Sequence, residues 1–129
     1  MAFNILVVDD SPIVRSVITK TLKIAGIDVG LLCEASNGQE ALDVLNREWI
    51  DLVFADINMP VMNGLEMVGR MSQDGLLGTI PVVIISTHSS RPLIQGLKEM
   101  GVSAYLKKPF TPETLRKTVE DLLGVRHEE

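Results

Sequence analysis

Acidic side chains that end two apolar runs are the residues in this sequence best equipped for chemistry. Residues 4–8 are largely apolar and are followed directly by Asp9 and Asp10. A second apolar run, residues 52–55, ends on Asp56. Short runs of this kind are typical of strands buried on both faces. The pattern therefore predicts three carboxylates at the carboxyl ends of buried strands, which is where open α/β sheets bind ligands.

A hydroxyl and a cation follow two further apolar runs. Thr87 comes after residues 82–86, and Lys108 comes shortly after residues 104–106. If the strands are parallel, these side chains share one sheet edge with the three carboxylates. Two carboxylates ~4 Å apart repel each other by roughly 4 kcal/mol at an effective dielectric constant near 20, so we expect either that some of them stay protonated or that a cation joins them.

An all-oxygen, strongly acidic set of ligands suits Mg²⁺, which commonly binds through one or two carboxylates. A carboxylate that lies beside Mg²⁺ and a lysine is equipped to attack phosphorus, because both cations neutralise the phosphoryl oxygens. The product of that attack is an aspartyl phosphate. The residue types at this edge therefore predict phosphoryl transfer.

Five apolar runs alternate along the chain with five amphipathic stretches of helical periodicity. Most of the stretches begin at a helix-capping signal, such as Ser11-Pro12 or Asn63 with Glu66. The alternation predicts parallel strands joined by helical crossovers, and hence a doubly wound α/β sheet with helices on both faces. Residues 1–124 form one domain in this interpretation, and residues 125–129 form a short polar tail.

Several other side chains are assigned to packing or to solvent. We interpret Trp49 as a packing plug under the sheet and Cys33 as a small core residue. His88 is interpreted as a loop residue, and Ser89 either borders the path of a hydrolytic water or is a plain loop serine. The first helix is expected to bury an apolar face made of Ile13, Val14, Val17, Ile18, Leu22 and Ala25.

Composition excludes several classes of function. The chain has 129 residues, a net charge of −5 and a pI of about 5.0, which argues against nonspecific binding to nucleic acid. No apolar run reaches the ~20 residues of a membrane span, and the first residues lack the basic segment of a secretory signal. A single cysteine, Cys33, excludes an internal disulfide and fits a reducing compartment. We therefore expect a cytoplasmic protein that neither binds nucleic acid nor inserts into membranes. A monomer is expected as well.

Four segments together resemble the receiver domains of two-component response regulators. The matching residues are Val7, Val8, Asp9, Asp10 and Ser11; Asp56, Met59, Pro60, Met62 and Gly64; Ile85, Ser86 and Thr87; and Tyr105, Lys108, Pro109 and Phe110. They span nearly the whole chain in the order that the family uses. Because no output domain follows in this sequence, the resemblance is closest to single-domain, chemotaxis-type receivers. It implies a flavodoxin-like, five-stranded parallel sheet of order 2-1-3-4-5, and a chemotaxis receiver is itself one of the standard examples of that order.

The resemblance also implies a role for each site residue. Asp56 would accept the phosphoryl group and would also bind Mg²⁺. Asp10 would bind the metal directly and Asp9 would bind it through water, and the main-chain carbonyl of Asn58 would be a third protein ligand. Lys108 would pair with the phosphoryl group.

Signalling is implied to run through a switch pair, Thr87 and Tyr105. A hydrogen bond from Thr87 to the phosphoryl group would let Tyr105 turn inward and change the surface formed by helix 4, strand 5 and helix 5. The peptide bond before Pro109 is expected to be cis. The chain would then be a regulatory module and no enzyme, although it would promote its own phosphorylation and dephosphorylation.

The implied partners are a histidine kinase or a histidine phosphotransfer protein, a downstream protein target and a phosphatase. A phosphorelay intermediate, which passes its phosphate to another histidine protein, stays open as an alternative to a chemotaxis signal. A flavodoxin-like electron carrier fits less well, because Asp9 and Asp10 would repel a flavin phosphate. A haloacid-dehalogenase-type phosphohydrolase needs an Asp-x-Asp pattern on its first strand, which residues 9–11 do not match.

Overall fold

A computed structural model describes residues 2–87 and 90–124 and shows a sheet with helices on both faces. All pairs of neighbouring strands are parallel, and the strand order is β2-β1-β3-β4-β5. The strands are β1 (Phe3–Val8), β2 (Val29–Ala35), β3 (Leu52–Ala55), β4 (Val82–Ser86) and β5 (Ala104–Lys107). The helices are α1 (Pro12–Ile24), α2 (Gly38–Arg47), α3 (Gly64–Gln73), α4 (Arg91–Met100) and α5 (Pro112–Leu123). The predicted fold class and strand order are confirmed.

The core lies in two layers because successive side chains of a strand point to opposite faces of the sheet. Leu6 and Val8 of β1 pack with residues of α2, α3 and α4, whereas Ile5 and Val7 pack with residues of α1 and α5. β3 and β4 are buried along their whole length. Their continuous apolar sequence is therefore explained by helices that cover both faces.

Capping side chains fix the start of each helix close to the end of a strand. Ser11 accepts a hydrogen bond from the Val14 amide, and Asn63 forms a complete capping box with Glu66. Pro12 and Pro112 lie in the first turns of α1 and α5, where a missing amide hydrogen costs nothing. These local signals place the strand-to-helix loops, which carry the candidate site, where the sequence predicted them.

Two packing predictions are wrong. Trp49 is 79% exposed and is therefore not a plug under the sheet. Ile13 and Val17 of α1 are 76% and 51% exposed, although the helical pattern placed them on the buried face. A short 3-10 helix, Leu76–Gly78, was not predicted. The interpretations of His88, Ser89 and residues 125–129 lie outside the described residues.

Candidate functional site

Strand pairing brings two of the predicted acids together. Val8 of β1 pairs with Ala55 of β3, so the next residue of each strand, Asp9 and Asp56, emerges at the same edge of the sheet. The Asp56 amide donates to the Val8 carbonyl at 3.0 Å, which continues the ladder by one more bond. The position of both carboxylates is therefore set by the central strands.

The side chain of Asp9 is buried and held at both oxygens. Its Oδ1 accepts a hydrogen bond from the Ser11 amide at 2.9 Å, and its Oδ2 lies 3.5 Å from Lys108 Nζ. Only 3% of the Asp9 side chain is exposed. A carboxylate at this depth needs such partners, because burial without them disfavours the charged form.

Asp10 completes an acidic cluster with Asp9 and Asp56. One oxygen of each carboxylate lies within 4.8 Å of the corresponding oxygens of the other two. Asp9 is buried, Asp56 is partly buried and Asp10 is exposed, so the cluster opens to solvent on the side of Asp10. Three converging carboxylates with one open side fit a hard divalent cation that keeps some of its waters, as Mg²⁺ does.

The environment of Asp56 raises its tendency to hold a proton. Burial is the largest cause and raises the pKa of the Asp56 carboxyl above its ordinary value. A hydrogen bond from the Ile57 amide to Oδ1, at 2.8 Å, and the charge of Lys108 lower the pKa in part, whereas Asp9 and Asp10 raise it. A bound cation would offset both the cost of burying the charged Asp56 carboxylate and its repulsion by Asp9 and Asp10.

Lys108 reaches the cluster from the end of β5, which is an edge strand of the sheet. Its Nζ lies 3.9 Å from Asp56 Oδ2, and its amide donates to the Ser86 carbonyl at 2.9 Å, which ties the end of β5 to β4. The peptide bond between Lys108 and Pro109 is cis, as predicted. The neighbouring Lys107 is exposed, in agreement with the alternation along β5. Lys108 thus supplies the cation that the sequence placed at this edge.

The loop after Asp56 packs tightly against the end of β3. The Gly64 amide donates to the Ile57 carbonyl at 2.8 Å, and the Gly38 amide donates to the Met62 carbonyl at the same distance. A Cβ on Gly64 would overlap the carbonyl oxygen of Asp56. The sequence identified Gly64 as a residue that matches the family, but its closeness to the Asp56 carbonyl is a tertiary feature.

Arg15 contacts the end of β1, which the sequence analysis did not predict. Its Nη1 donates to the Asp9 carbonyl at 2.6 Å, and its Nε donates to Glu34 Oε1 at 2.7 Å. The available signal was one arginine inside a largely apolar part of α1, one turn after the cap Ser11. Nothing in the local pattern indicated that this arginine turns back toward the end of β1.

The predicted switch residues lie on neighbouring strands. Thr87 directly follows β4 and is exposed, and Tyr105 of β5 pairs with Ile84 of β4. The Tyr105 hydroxyl is buried and has no hydrogen-bond partner among the described residues. Asn58 is exposed in the loop after β3. The structure thus brings Asp9, Asp10, Asp56 and Lys108 into one site and places Thr87 at the end of the adjacent strand.

Comparison with known proteins identifies the family of this chain. The response regulator receiver domain family matches residues 5–120. The chain belongs to the response regulator receiver family. This membership decides against the flavodoxin-like carrier and the haloacid-dehalogenase-type phosphohydrolase. Receiver domains are regulatory modules that bind Mg²⁺ at an acidic pocket, and the cluster of Asp9, Asp10 and Asp56 is the acidic pocket of this receiver.

Individual relatives include chemotaxis proteins. A chemotaxis protein CheY homolog of Campylobacter jejuni is 38% identical over 122 residues, which cover 94% of this receiver and 92% of the relative. Chemotaxis protein CheY1 of Helicobacter pylori is 36% identical, with 94% and 97% covered. The crystal structure of chemotaxis protein CheY4 of Vibrio cholerae superposes with a TM-score of 0.82 at 34% identity, with 95% of this receiver and 99% of that chain covered. The receiver is therefore CheY-like.

Across residues 2–87 and 90–124, none of the helices combines the length and the apolar composition that crossing a lipid bilayer requires.

Proposed function

We propose that this receiver is a phosphorylation-dependent signalling switch whose phosphoacceptor is Asp56. The observation that carries the proposal is the setting of the Asp56 carboxylate, which converges with Asp9 and Asp10 and lies 3.9 Å from Lys108. Among the three acids, Asp56 alone combines partial exposure to solvent with an ion pair to Lys108, since Asp9 is buried and Asp10 is exposed. It follows β3 directly, so the central strand fixes its approach to a donor.

The proposed donor is a phosphohistidine of a histidine kinase or of a histidine phosphotransfer protein. An Asp56 oxygen attacks phosphorus, the phosphorus–nitrogen bond breaks, and its electron pair stays on the imidazole. Lys108 pairs with a phosphoryl oxygen as negative charge develops there. When bound, Mg²⁺ neutralises phosphoryl oxygens and orients the group.

The residues proposed to hold Mg²⁺ are Asp10, Asp56 and the main-chain carbonyl of Asn58, with Asp9 acting through a water. The hydrogen bonds that fix Asp9 favour this division, because a carboxylate that already accepts from Ser11 and faces Lys108 has little freedom to move toward an ion. Asp10 is exposed and has none of the hydrogen bonds found for Asp9. It is therefore free to become a direct ligand.

Phosphorylation is proposed to be transmitted by Thr87 and Tyr105. The Thr87 hydroxyl would turn toward a phosphoryl group on Asp56, and Tyr105 would follow into the space that it leaves. A buried hydroxyl without a partner costs about 1–3 kcal/mol, so a new position that gives the Tyr105 hydroxyl a partner would be favoured by a similar amount. The phosphate shifts the equilibrium only as far as it binds the two states differently.

The output surface is proposed to comprise α4, β5 and α5. A groove of about 460 Å³ lies on α4 and is lined by Arg91, Pro92, Ile94, Gln95 and Lys98. Its two charged residues are both cationic, and Lys107 is exposed on the adjacent strand. A partner that presents acidic and apolar groups fits this surface.

Chemotaxis is the signalling context that the relatives favour, since the curated relatives that match 94% of this receiver and the Vibrio cholerae protein of known structure are chemotaxis proteins. In this role the phosphorylated receiver binds a downstream protein target in the cytoplasm, and a phosphatase or the receiver itself removes the phosphate. A phosphorelay intermediate would instead return the phosphate to a histidine. Transfer of labelled phosphate from the receiver to a histidine phosphotransfer domain would identify that alternative.

The proposal is tested with acetyl phosphate, a small phosphodonor, in the presence of Mg²⁺. Intact-mass measurement should show one added phosphoryl group that is stable in acid and labile in base. Excess EDTA and the Asp10→Ala variant should each reduce the yield strongly, and Asp56→Asn should abolish it. Asp43→Asn, on the exposed face of α2, is the matched control and should react like the wild type. Equal yields from Asp56→Asn and wild type would overturn the assignment.

A further inference from the structure

We propose that Arg15 is a positioning residue for the metal site, because it fixes the peptide unit between Asp9 and Asp10 and thereby aims the Asp10 carboxylate. The inference rests on the proposed function, in which Asp10 is a direct metal ligand. It means that α1 helps to position the acidic pocket, because Arg15 belongs to α1.

The contacts of Arg15 form a rigid bridge. Nη1 donates to the carbonyl oxygen of Asp9 at 2.6 Å, and Nε donates to Glu34 Oε1 on β2 at 2.7 Å. The Arg15 side chain is only 16% exposed. A planar guanidinium that is bonded at two of its nitrogens has a defined orientation, so it holds the carbonyl in a defined place.

The pinned carbonyl matters because it belongs to the Asp9–Asp10 peptide unit. The peptide unit is planar and ends at the Asp10 Cα, so fixing its oxygen and the Asp9 amide restricts the direction in which Asp10 leaves the strand. The Asp9 amide is already bonded to the Ala35 carbonyl at 3.0 Å. Asp10 itself accepts no side-chain hydrogen bond within the described ranges 2–87 and 90–124 that would orient it. Its aim therefore depends on the backbone that Arg15 holds.

A positioning role and a purely electrostatic role of Arg15 predict changes of opposite sign in Mg²⁺ affinity when Arg15 is replaced. Arg15 carries a positive charge next to a cation site, so removing that charge should tighten Mg²⁺ binding if charge alone counted. Loss of the bridge releases the peptide unit and should weaken binding, as the loss of groups that orient metal ligands typically costs about 10–100-fold in affinity. The sign of the change therefore separates the two explanations.

The experiment measures Mg²⁺ affinity of the full chain by calorimetric titration, with far-UV circular dichroism as the check on folding. Arg15→Met keeps the aliphatic bulk and should weaken Mg²⁺ binding about 10-fold. Lys20→Met removes the same charge from the exposed face of α1 and is the matched control, with an affinity equal to or slightly above that of the wild type. Arg15→Lys keeps the charge but has a shorter side chain with one nitrogen, so it should bind Mg²⁺ more weakly than the wild type.

A folded Arg15→Met protein that binds Mg²⁺ as tightly as the wild type, or more tightly, would overturn the inference while leaving the proposed function intact. If Arg15→Met does not fold, an unchanged affinity in Arg15→Lys has the same meaning. A wild-type protein that binds no Mg²⁺ would instead contradict the proposed function itself, and the inference with it.

Discussion

Asp56 lies in a setting that favours its protonated form when no cation is bound. Burial, with the charges of Asp9 and Asp10, raises the pKa of Asp56 above its ordinary value of 3.8 in spite of Lys108. Between the ordinary and the raised value, the folded state binds more protons than the unfolded state. Stability therefore falls as the pH rises through that window, and the loss persists at higher pH.

Replacing Asp56 by an uncharged isostere should remove this loss. In EDTA at neutral pH, we expect Asp56→Asn to have a higher melting temperature than the wild type, and the difference should shrink as the pH is lowered toward 3.8. Thermal unfolding at several pH values measures it. Asp43→Asn on the exposed face of α2 controls for the general loss of a negative charge. A wild type that is more stable than Asp56→Asn at neutral pH in EDTA would contradict the sign of the pKa shift.

The same residues show how far sequence reasoning reaches at this scale. Asp9, Asp10, Asp56 and Lys108 were predicted to converge, because residues that follow parallel strands meet at one edge of the sheet. Arg15 was missed, because its contacts with the Asp9 carbonyl and Glu34 depend on how α1 packs beside β2. Residue type and strand position predict which groups share an edge, but they do not specify which side chains turn back to hold the backbone.

The β3–α3 connection is the element that ties Asp56, the proposed phosphoacceptor, to the helices. A Cβ on Gly64 would overlap the Asp56 carbonyl oxygen and lie 2.9 Å from Ile57 Cα, both of which are backbone atoms with little freedom to move. Gly64→Ala should therefore destabilise the fold by about 1–3 kcal/mol, as overpacking commonly does. It should also lower the yield of phosphorylation by acetyl phosphate, because the strand end must shift.

A second glycine provides the control for this prediction. Gly96 lies inside α4, and a methyl group added there would meet no atom within 4 Å apart from its chain neighbours and the backbone of its own helix, so Gly96→Ala should gain up to about 1 kcal/mol from helix propensity. Urea unfolding of both variants measures the difference. Equal stabilities for Gly64→Ala and the wild type would mean that the β3–α3 loop yields more easily than the contacts indicate.

Helix and strand positions were predictable, but the sequence did not show which apolar residues of α1 are buried. On α1, Ile18 and Leu22 are buried, whereas Ile13 and Val17 form an i, i+4 pair that faces solvent. All four fit one broad apolar stripe in the sequence, and only the packing against α5 and the sheet decides how much of it is covered. The exposure of Trp49 was equally hard to predict, because a large aromatic residue before a buried strand can either pack under the sheet or lie exposed.

For the whole molecule, the account requires that a change at the phosphorylation site reaches β5. The chain has one tyrosine, Tyr105, so incorporation of fluorotyrosine gives a single ¹⁹F NMR resonance that reports on this residue. Acetyl phosphate with Mg²⁺ should shift that resonance in the wild type. Thr87→Ala should be phosphorylated to a similar extent but should show little or no shift, because the hydroxyl that connects the phosphate to β5 is missing.

Thr19→Ala is a matched control, since it removes a hydroxyl from α1 beside β2, which is the edge strand opposite β5, and should leave the shift unchanged. A full shift in phosphorylated Thr87→Ala would show that the signal reaches Tyr105 by another route. The fold class followed from the alternation of elements, but the proposed coupling did not, because small movements between packed states leave no mark in a pattern of apolar residues.

The central claim is that Asp56 accepts the phosphoryl group, and borohydride trapping tests it most directly. Borohydride reduces an aspartyl phosphate to homoserine, which marks the modified residue in a peptide mass spectrum. After treatment with acetyl phosphate and Mg²⁺, we predict homoserine at position 56 and unmodified aspartate at positions 9 and 10. Homoserine at position 9 or 10, or stable phosphorylation without homoserine at position 56, would contradict the account.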